Sequence, residues 1–532
     1  MPPITHVHEH LEQESRPLKR FVPPSLLTWH DNLKSIVVSN SPICSKICPE
    51  EGLNALNYTT AEAGNPFIEG WYADPDTAIY NDLYWIFPTS SLPYEQQTYL
   101  DAFSSPDLIN WTKHPNILTV ENVKWANKAV WAPAPAFVNG KYYLYFGAND
   151  IQEGEPEQGI IGGIGVAVAD QPQGPYVDAI GKPLIGEYFN DAQPIDQDVF
   201  IDDDGQAYIY YGGHDHANVA KLNSDMISFG KFDDNTTFKE ITPDKYVEGS
   251  QMIKKDGKYY FMWSEGGWTG PDYAVAYAIA DSPLGPFETR GRILQQDNEI
   301  AKGSGHNGVI HIPGTDIYYI TYHRRPLTET NQNHRVVCYD RMYFNSDGTI
   351  APVNMLVKDN FADGDFVEWK TDGGVWGVVD QRLEVKSGSA AFAVQDTNFT
   401  NLVFDATVSV PGIANDTVSA GLVFRVNRAS AGVAGFSGYY AGLSPSGILT
   451  LEAFESGNRT NHTSVAATFN TGVNIAVRVK AIGDSISIFL DDLETPKLSV
   501  SGASVINGTT GVATFGTDAR FGSVSVAKAS GT

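Results

Sequence analysis

Apolar and polar positions along the chain alternate in short runs rich in Tyr, Phe and Val and broken by Gly, Asn, Asp and Pro, the period-two pattern of half-buried β-strands. Long amphipathic helical patterns are absent, so the expected class is all-β. Five of the runs share one plan: a small or polar lead-in, an apolar strand, a turn and an aromatic strand. They read YADPDTAIYNDLYWIF, WAPAPAFVNGKYYLYF, IDQDVFIDDDGQAYIYY, EGSQMIKKDGKYYFMW and GHNGVIHIPGTDIYYITYH. With Asp74, Trp131, Asp196, Glu248 and His306 as lead residues, the intervals are 57, 65, 52 and 58 residues. The first aromatic of each second strand (Tyr84, Tyr142, Tyr208, Tyr259, Tyr318) follows its lead by 10, 11, 12, 11 and 12 positions. Asn139-Gly140, Asp204-Gly205 and Asp256-Gly257 are hairpin-turn pairs between such strands.

Units of this length suffice for a four-stranded antiparallel sheet and predict a five-bladed β-propeller. In a propeller the first strand of each blade lines the central channel, so the lead residues converge at one end of the axis as a ring of Asp, Trp, Asp, Glu and His. A structural ring would be apolar or small. Three carboxylates brought together are costly to desolvate and repel one another, which marks the ring as a functional site.

From about Lys358 the texture changes to short Ser/Thr/Val/Ala strands with Gly and Asn turns, predicting a β-sandwich. The expected organisation is an irregular lead-in over residues 1–61, a propeller over 62–355 and a sandwich over 356–532. In the sandwich, Trp369 and Trp376 are candidates for stacking on sugar, with burial the commoner fate of such tryptophans.

Composition narrows the partners. Of 532 residues, 63 are acidic and 36 basic, a formal net charge of -27 that repels phosphate backbones and anionic lipids, so neither nucleic acid nor membrane is an expected partner. No stretch is long and apolar enough to span a bilayer. Eight Asn-X-Ser/Thr sequons, at Asn57, Asn110, Asn235, Asn398, Asn415, Asn458, Asn461 and Asn507, suit a secreted glycoprotein, although the charged, proline-containing first 30 residues form no recognisable signal peptide. Cys44 and Cys48 can pair locally, and Cys338 is left over.

At the lead residues the sequence resembles glycoside hydrolase family 43, over about residues 62 to 352. The motifs are YADPD, VWAPAP, IDQDVFIDDDG, EGSQMIKKDGKYYFMW, GSGHNGVI and YYITYHRRP. Where many relatives have Glu-Gly-Pro, this chain has Glu248-Gly249-Ser250. The resemblance implies an inverting glycosidase with Asp74 as general base, Glu248 as general acid and Asp196 raising the acid's pKa. It also implies that Arg335, in NHRVVCYDRMYF, forks onto sugar hydroxyls. Trp131 offers a flat wall for a sugar ring. His306 is expected to serve the substrate pocket, to be the protein ligand of a structural calcium on the axis with water for most of the shell, or to be purely structural; no cofactor is required for the reaction.

Other polar residues near the motifs have plainer expectations. Asp76 is read as a hydrogen-bonded structural acid, Asp198 as either a supporting or a substrate-rim residue, Asp202 to Asp204 as a solvated turn, and Arg324 and Arg325 as structural ion-pair partners. The expected activity is release of α-L-arabinofuranosyl side chains from arabinoxylan or a related plant cell-wall polysaccharide by a secreted monomer. A β-xylosidase and a non-catalytic carbohydrate-binding propeller are the alternatives.

Overall fold

The computed structural model describes residues 64–412, 417–427 and 436–529. Cys44, Cys48, Asn57, Asn415 and the expected lead-in over residues 1–61 lie outside the described residues. Helix among the described residues is limited to three short 3-10 turns, none able to cross a membrane.

Five antiparallel sheets follow one another in chain order, spanning residues 72–119, 131–178, 198–240, 248–295 and 301–342. Each is a meander in which neighbouring strands are consecutive in sequence. The first strands, Tyr72–Tyr80, Trp131–Val138, Asp198–Ile201, Glu248–Lys255 and Ala301–His311, touch each other in cyclic order, the fifth returning to the first. That closure is a five-bladed propeller with the first strands on the axis. Gly308 permits the last join, because a Cβ there would stand 2.6 Å from the Pro75 carbonyl oxygen.

Tight turns come from the expected residue types. Asn139-Gly140 and Asp256-Gly257 have positive φ at both positions, as a type I′ hairpin turn requires, and so do Asn81 and Asp82 in the first blade. At Asp204-Gly205 only the glycine is left-handed, and the Gly205 N–H donates to the Asp202 carbonyl. Unlike the other four blades, the fifth has three strands. Its third, Val336–Met342, is followed by a segment that enters the second fold at Val357–Asp359 instead of adding an outer strand.

That second fold is the β-sandwich, two antiparallel sheets of eight and seven strands. Leu402–Ser409 shows how alternation builds it: Leu402, Phe404, Ala406 and Val408 are buried while Val403, Asp405 and Thr407 are half-buried. Trp369 is buried and donates its indole N–H to Asp359 at 2.8 Å, a structural role; Trp376 donates to the Gly373 carbonyl. The sandwich interior is continuous with apolar residues of blades four and five. Met262, Val275, Ile320 and Cys338 belong to the same buried apolar cluster as Leu383, Phe404, Leu422 and Phe521.

Candidate active site

Four of the five first strands open with a register slip, and in blade three the irregularity is the positive φ of Asp196, two residues ahead of the strand. Where strands one and two pair, the register slips between Ala73 and Asp76, Trp131 and Ala134, Glu248 and Gln251, and Gly305 and Gly308. In every blade a residue at the head of the first strand has positive φ: Asp74, Ala132, Asp196, Gly249 and His306, with φ of 48°, 44°, 55°, 72° and 44°. Bulges of this kind bend a strand and re-aim its side chains. The structurally equivalent residues in blades two and four are therefore Ala132 and Gly249, one position after the leads Trp131 and Glu248. At Gly249 a Cβ would stand 2.9 Å from Ser264 Oγ, so the glycine lets Glu248 sit beside the blade-five bulge. Ser250, where many relatives have proline, is buried and hydrogen-bonded through its hydroxyl to Tyr246 at 2.8 Å, and the glycine keeps its left-handed geometry.

Asp74, Asp196 and His306 meet directly. His306 Nδ1 lies 3.5 Å from Asp74 Oδ1 and 3.4 Å from Asp196 Oδ2. Arg335 Nη1 reaches Asp74 Oδ1 at 3.1 Å, its Nε donates to Ser91 Oγ at 2.9 Å, and its guanidinium lies 4.9 Å from the centre of the Trp268 ring. The Asp74 backbone N–H donates to His323 Nδ1 at 3.2 Å. Glu248 accepts a hydrogen bond from the Tyr273 hydroxyl at 3.0 Å.

The electrostatics separate the carboxylates. Burial alone would raise Asp74, but Arg335, then His306, outweigh it and hold Asp74 well below the usual carboxylate range. Glu248 is pushed up to about 8, first by burial and then by the charge of Asp196. Burial disfavours a charged His306, yet Asp196 and Asp74 overcome this and raise it to about 9. His323, by contrast, is driven down to about 3 by burial and by Arg335, so it is a neutral acceptor for the Asp74 N–H. These influences favour the ionised form of Asp74, the protonated form of Glu248 and the charged form of His306, which lies between Asp74 and Asp196. That arrangement has one group ready to take a proton and one ready to give it.

Trp131 is 9% exposed and packs with Ala129, Ala132 and Ile195, with the Tyr94 ring edge-on at 4.9 Å. It is a wall residue embedded in a small apolar cluster rather than an open platform. Deeper along the axis, Asp198 is pushed up to about 7 by burial while accepting from the Met252 N–H at 2.6 Å; burial and the Asp198 charge also raise Asp76. Asp203 and Asp204 are exposed in the turn between the first two strands of blade three, at the end away from the lead residues, and Asp202 there is half-buried and tied to Lys254 and to Tyr259. Arg324 and Arg325 correct the ion-pair expectation. They donate to the carbonyls of Asn65 and Thr269, at 2.8 and 3.1 Å, and form no ion pair among the described residues.

As the ligand of a calcium ion, His306 would stand nearly alone. Calcium takes a shell of oxygen donors, and among the described residues no group of three His, Cys, Asp or Glu side chains is placed to hold a metal. A calcium ion held there by His306 would take most of its shell from water.

Three groups escaped the sequence reading: Tyr273, Trp268 and His323. Tyr273 and Trp268 come from the blade-four segment after the second strand, which carried no repeat signal. His323 lies inside YYITYHRRP, on a second strand whose residues are nearly all buried, which hides its alternation.

Comparison with known proteins agrees with this geometry. Over 323 residues the chain is 45% identical to the β-D-galactofuranosidase xynD of Aspergillus niger, covering 58% of this chain and 90% of that protein. It is 30% identical over 344 residues to xylosidase/arabinosidase 43A of Humicola insolens, covering 54% and 98%. It is 28% identical over 334 residues to an arabinoxylan arabinofuranohydrolase of Paenibacillus polymyxa, covering 53% of this chain and 50% of that protein. Residues 63–350 match the profile of Glycosyl hydrolases family 43. A five-bladed propeller with buried carboxylates at its axis, and a family match across every blade, lead to one identification: this chain is a glycoside hydrolase belonging to family 43.

Proposed function

We propose that the protein is an inverting exo-acting glycosidase that releases terminal α-L-arabinofuranosyl side chains from arabinoxylan or a related hemicellulose. The observation that carries the reading is the buried ring at the propeller axis, where Asp74 is tied to Arg335 and held low while burial and the Asp196 charge push Glu248 up. In this reading a water molecule attacks the anomeric carbon, its proton passes to Asp74, and Glu248 gives its proton to the departing glycosidic oxygen. Asp196 keeps Glu248 protonated, and Arg335 orients Asp74 and presents its remaining donors to sugar hydroxyls. Residues 62–355 would carry the catalysis, with 356–532 as the accompanying sandwich. The exposed sequons Asn110, Asn235, Asn398 and Asn458 support secretion.

The choice of sugar rests on likeness to the xylosidase/arabinosidase and the arabinofuranohydrolase, an associational ground. The relative named a β-D-galactofuranosidase favours a second reading. That sugar has the same ring configuration as α-L-arabinofuranose with one more exocyclic carbon, so the two differ mainly in the room beyond C4. Nitrophenyl α-L-arabinofuranoside, β-D-galactofuranoside and β-D-xyloside, assayed together with wheat arabinoxylan, separate the readings. Preference for the arabinofuranoside with arabinose released from the polymer is expected. Preference for either other glycoside would replace the substrate assignment, and no turnover of any would leave a carbohydrate-binding propeller.

Asp196→Asn tests the supporting role. Glu248 must be protonated to act, so activity is expected to fall as pH rises through about 8. Removing the Asp196 charge takes away the larger electrostatic cause of that elevation, so the basic limb of kcat/KM should move to lower pH. An unchanged limb in a folded variant would show that Asp196 does not set the protonation of the acid.

A further inference from the structure

Tyr273 stands just ahead of the third strand of blade four, Ala274–Ala280, and is buried with its phenol turned to the axis. Its ring sits in a slot made by Gly305 and His323, two residues paired across the first two strands of blade five. A Cβ at Gly305 would stand 2.2 Å from Tyr273 Cε1, so only glycine admits the ring. On the other side the His323 imidazole stacks on it, with ring centres 5.6 Å apart and planes 17° from parallel. His323 is also the acceptor for the Asp74 N–H, so one slot holds a partner of the proposed base and a partner of the proposed acid.

The hydrogen bonds that reach the phenol run in one direction. A backbone N–H can only donate, and that of His306 donates to Ser264 Oγ at 3.0 Å. Ser264 keeps its own hydrogen for the Tyr273 hydroxyl, to which it is the donor. With its oxygen accepting, the phenol directs its hydrogen to Glu248 Oε1 at 3.0 Å. Bonds in such a chain polarise one another, so each link strengthens the next. An oxygen that accepts from Tyr273 is the carbonyl oxygen of the protonated acid, and the transferable proton then belongs on Oε2.

We propose that Tyr273 is a positioning residue of the reaction: by donating to Glu248 Oε1 it makes Oε2 the oxygen that hands its proton to the leaving group. The inference rests on the acid role of Glu248 given above and deepens it. As the glycosidic bond breaks, the Oε2–H bond breaks with it; the proton goes to the departing oxygen and the electron pair stays on the carboxyl. Tyr273 acts through Glu248, and its hydrogen bond steadies the carboxylate left behind. Several groups face that carboxyl. Asp196 from blade three and Asp74 from blade one favour its protonated form, His306 from blade five and Tyr273 its ionised form, and the phenols of Tyr94 and Tyr246 lie in the same field.

The test is Tyr273→Phe, which keeps the ring in its slot and removes only the hydroxyl. On wheat arabinoxylan kcat should fall about ten- to a hundredfold, the worth of a hydrogen bond to a charged group, with KM within about twofold of the parent. The loss on nitrophenyl α-L-arabinofuranoside, whose leaving group needs little protonation, should be smaller, no more than about threefold. Because the missing bond favoured the ionised acid, the basic limb of kcat/KM should move to higher pH, opposite to the shift expected for Asp196→Asn. A phenol that only packs would affect both substrates alike and leave the limb in place, and either result would overturn the proposal. In a Glu248→Gln background the same substitution should lower polymer turnover by no more than about twofold; a further loss as large as in the parent would refute it. Near-parental polymer turnover by Glu248→Gln would defeat the acid reading and this role with it. A disabled Glu248→Gln beside a fully active Tyr273→Phe would defeat the positioning role alone.

Discussion

Replacing Glu248 by glutamine is expected to cut turnover of arabinoxylan by about 10²- to 10⁴-fold with the fold intact, the usual worth of a positioned proton donor. The amide is close to the carboxyl in size and can still accept from Tyr273, but it has no proton to give. Because burial and Asp196 keep the native group protonated up to about pH 8, the loss should extend across the acid and neutral range. It should be much smaller on nitrophenyl glycosides, whose leaving group needs little protonation. A variant that turns over the polymer at near-parental rate would remove Glu248 from the acid role, whatever its pH profile.

Asp74→Asn should be at least as damaging, about 10³-fold or more, and in a different way. The base is required however good the leaving group, so polymer and nitrophenyl substrates should lose activity in parallel. Asparagine is the right replacement because Asp74 sits at φ 48°, a conformation that Asn tolerates better than most residues, and because it removes the charge without disturbing the bulge. The parent's stereochemistry completes the test. NMR of the sugar at the earliest times should show the anomer of inverted configuration, whereas retention would mean that Asp74 activates no water.

Why some of this was legible in the sequence and some was not follows from the geometry of the blades. Asp74, Asp196 and His306 stand at the repeat position itself, so even spacing was enough to bring them together. Trp131 and Glu248 were grouped with them, but the bulge in each first strand puts Ala132 and Gly249 at the matching left-handed position, a one-residue offset that spacing of this looseness cannot resolve. The turns were readable because Asn-Gly and Asp-Gly carry their backbone preference locally. Arg335 was found by likeness alone: it lies just ahead of the third strand of blade five, far in sequence from the lead residue whose carboxylate it meets. Tyr273 shows the remaining gap. Its hydroxyl reaches Glu248 only because of how blade four is placed around the axis, and nothing in TGPDYAVAYA announces an inward-facing phenol. The three-stranded fifth blade was hidden for a similar reason, since the chain leaves for the sandwich where a fourth strand was expected.

The apolar interior shared by blades four and five and the sandwich bears on how long the enzyme would last in use. Glu248, Tyr273, His306 and Arg335 belong to those two blades, whereas Asp74 and Asp196 stand on blades one and three, so the sandwich covers the side of the propeller that carries the proposed acid. Opening of the sandwich would strip apolar cover from that side and loosen the strands that carry Glu248. Inactivation on storage or heating is then expected to follow the rate at which the sandwich comes away, a kinetic property set far from the axis. Engineering for durability belongs at that seam, where added packing would lengthen working life without touching a residue that meets the substrate.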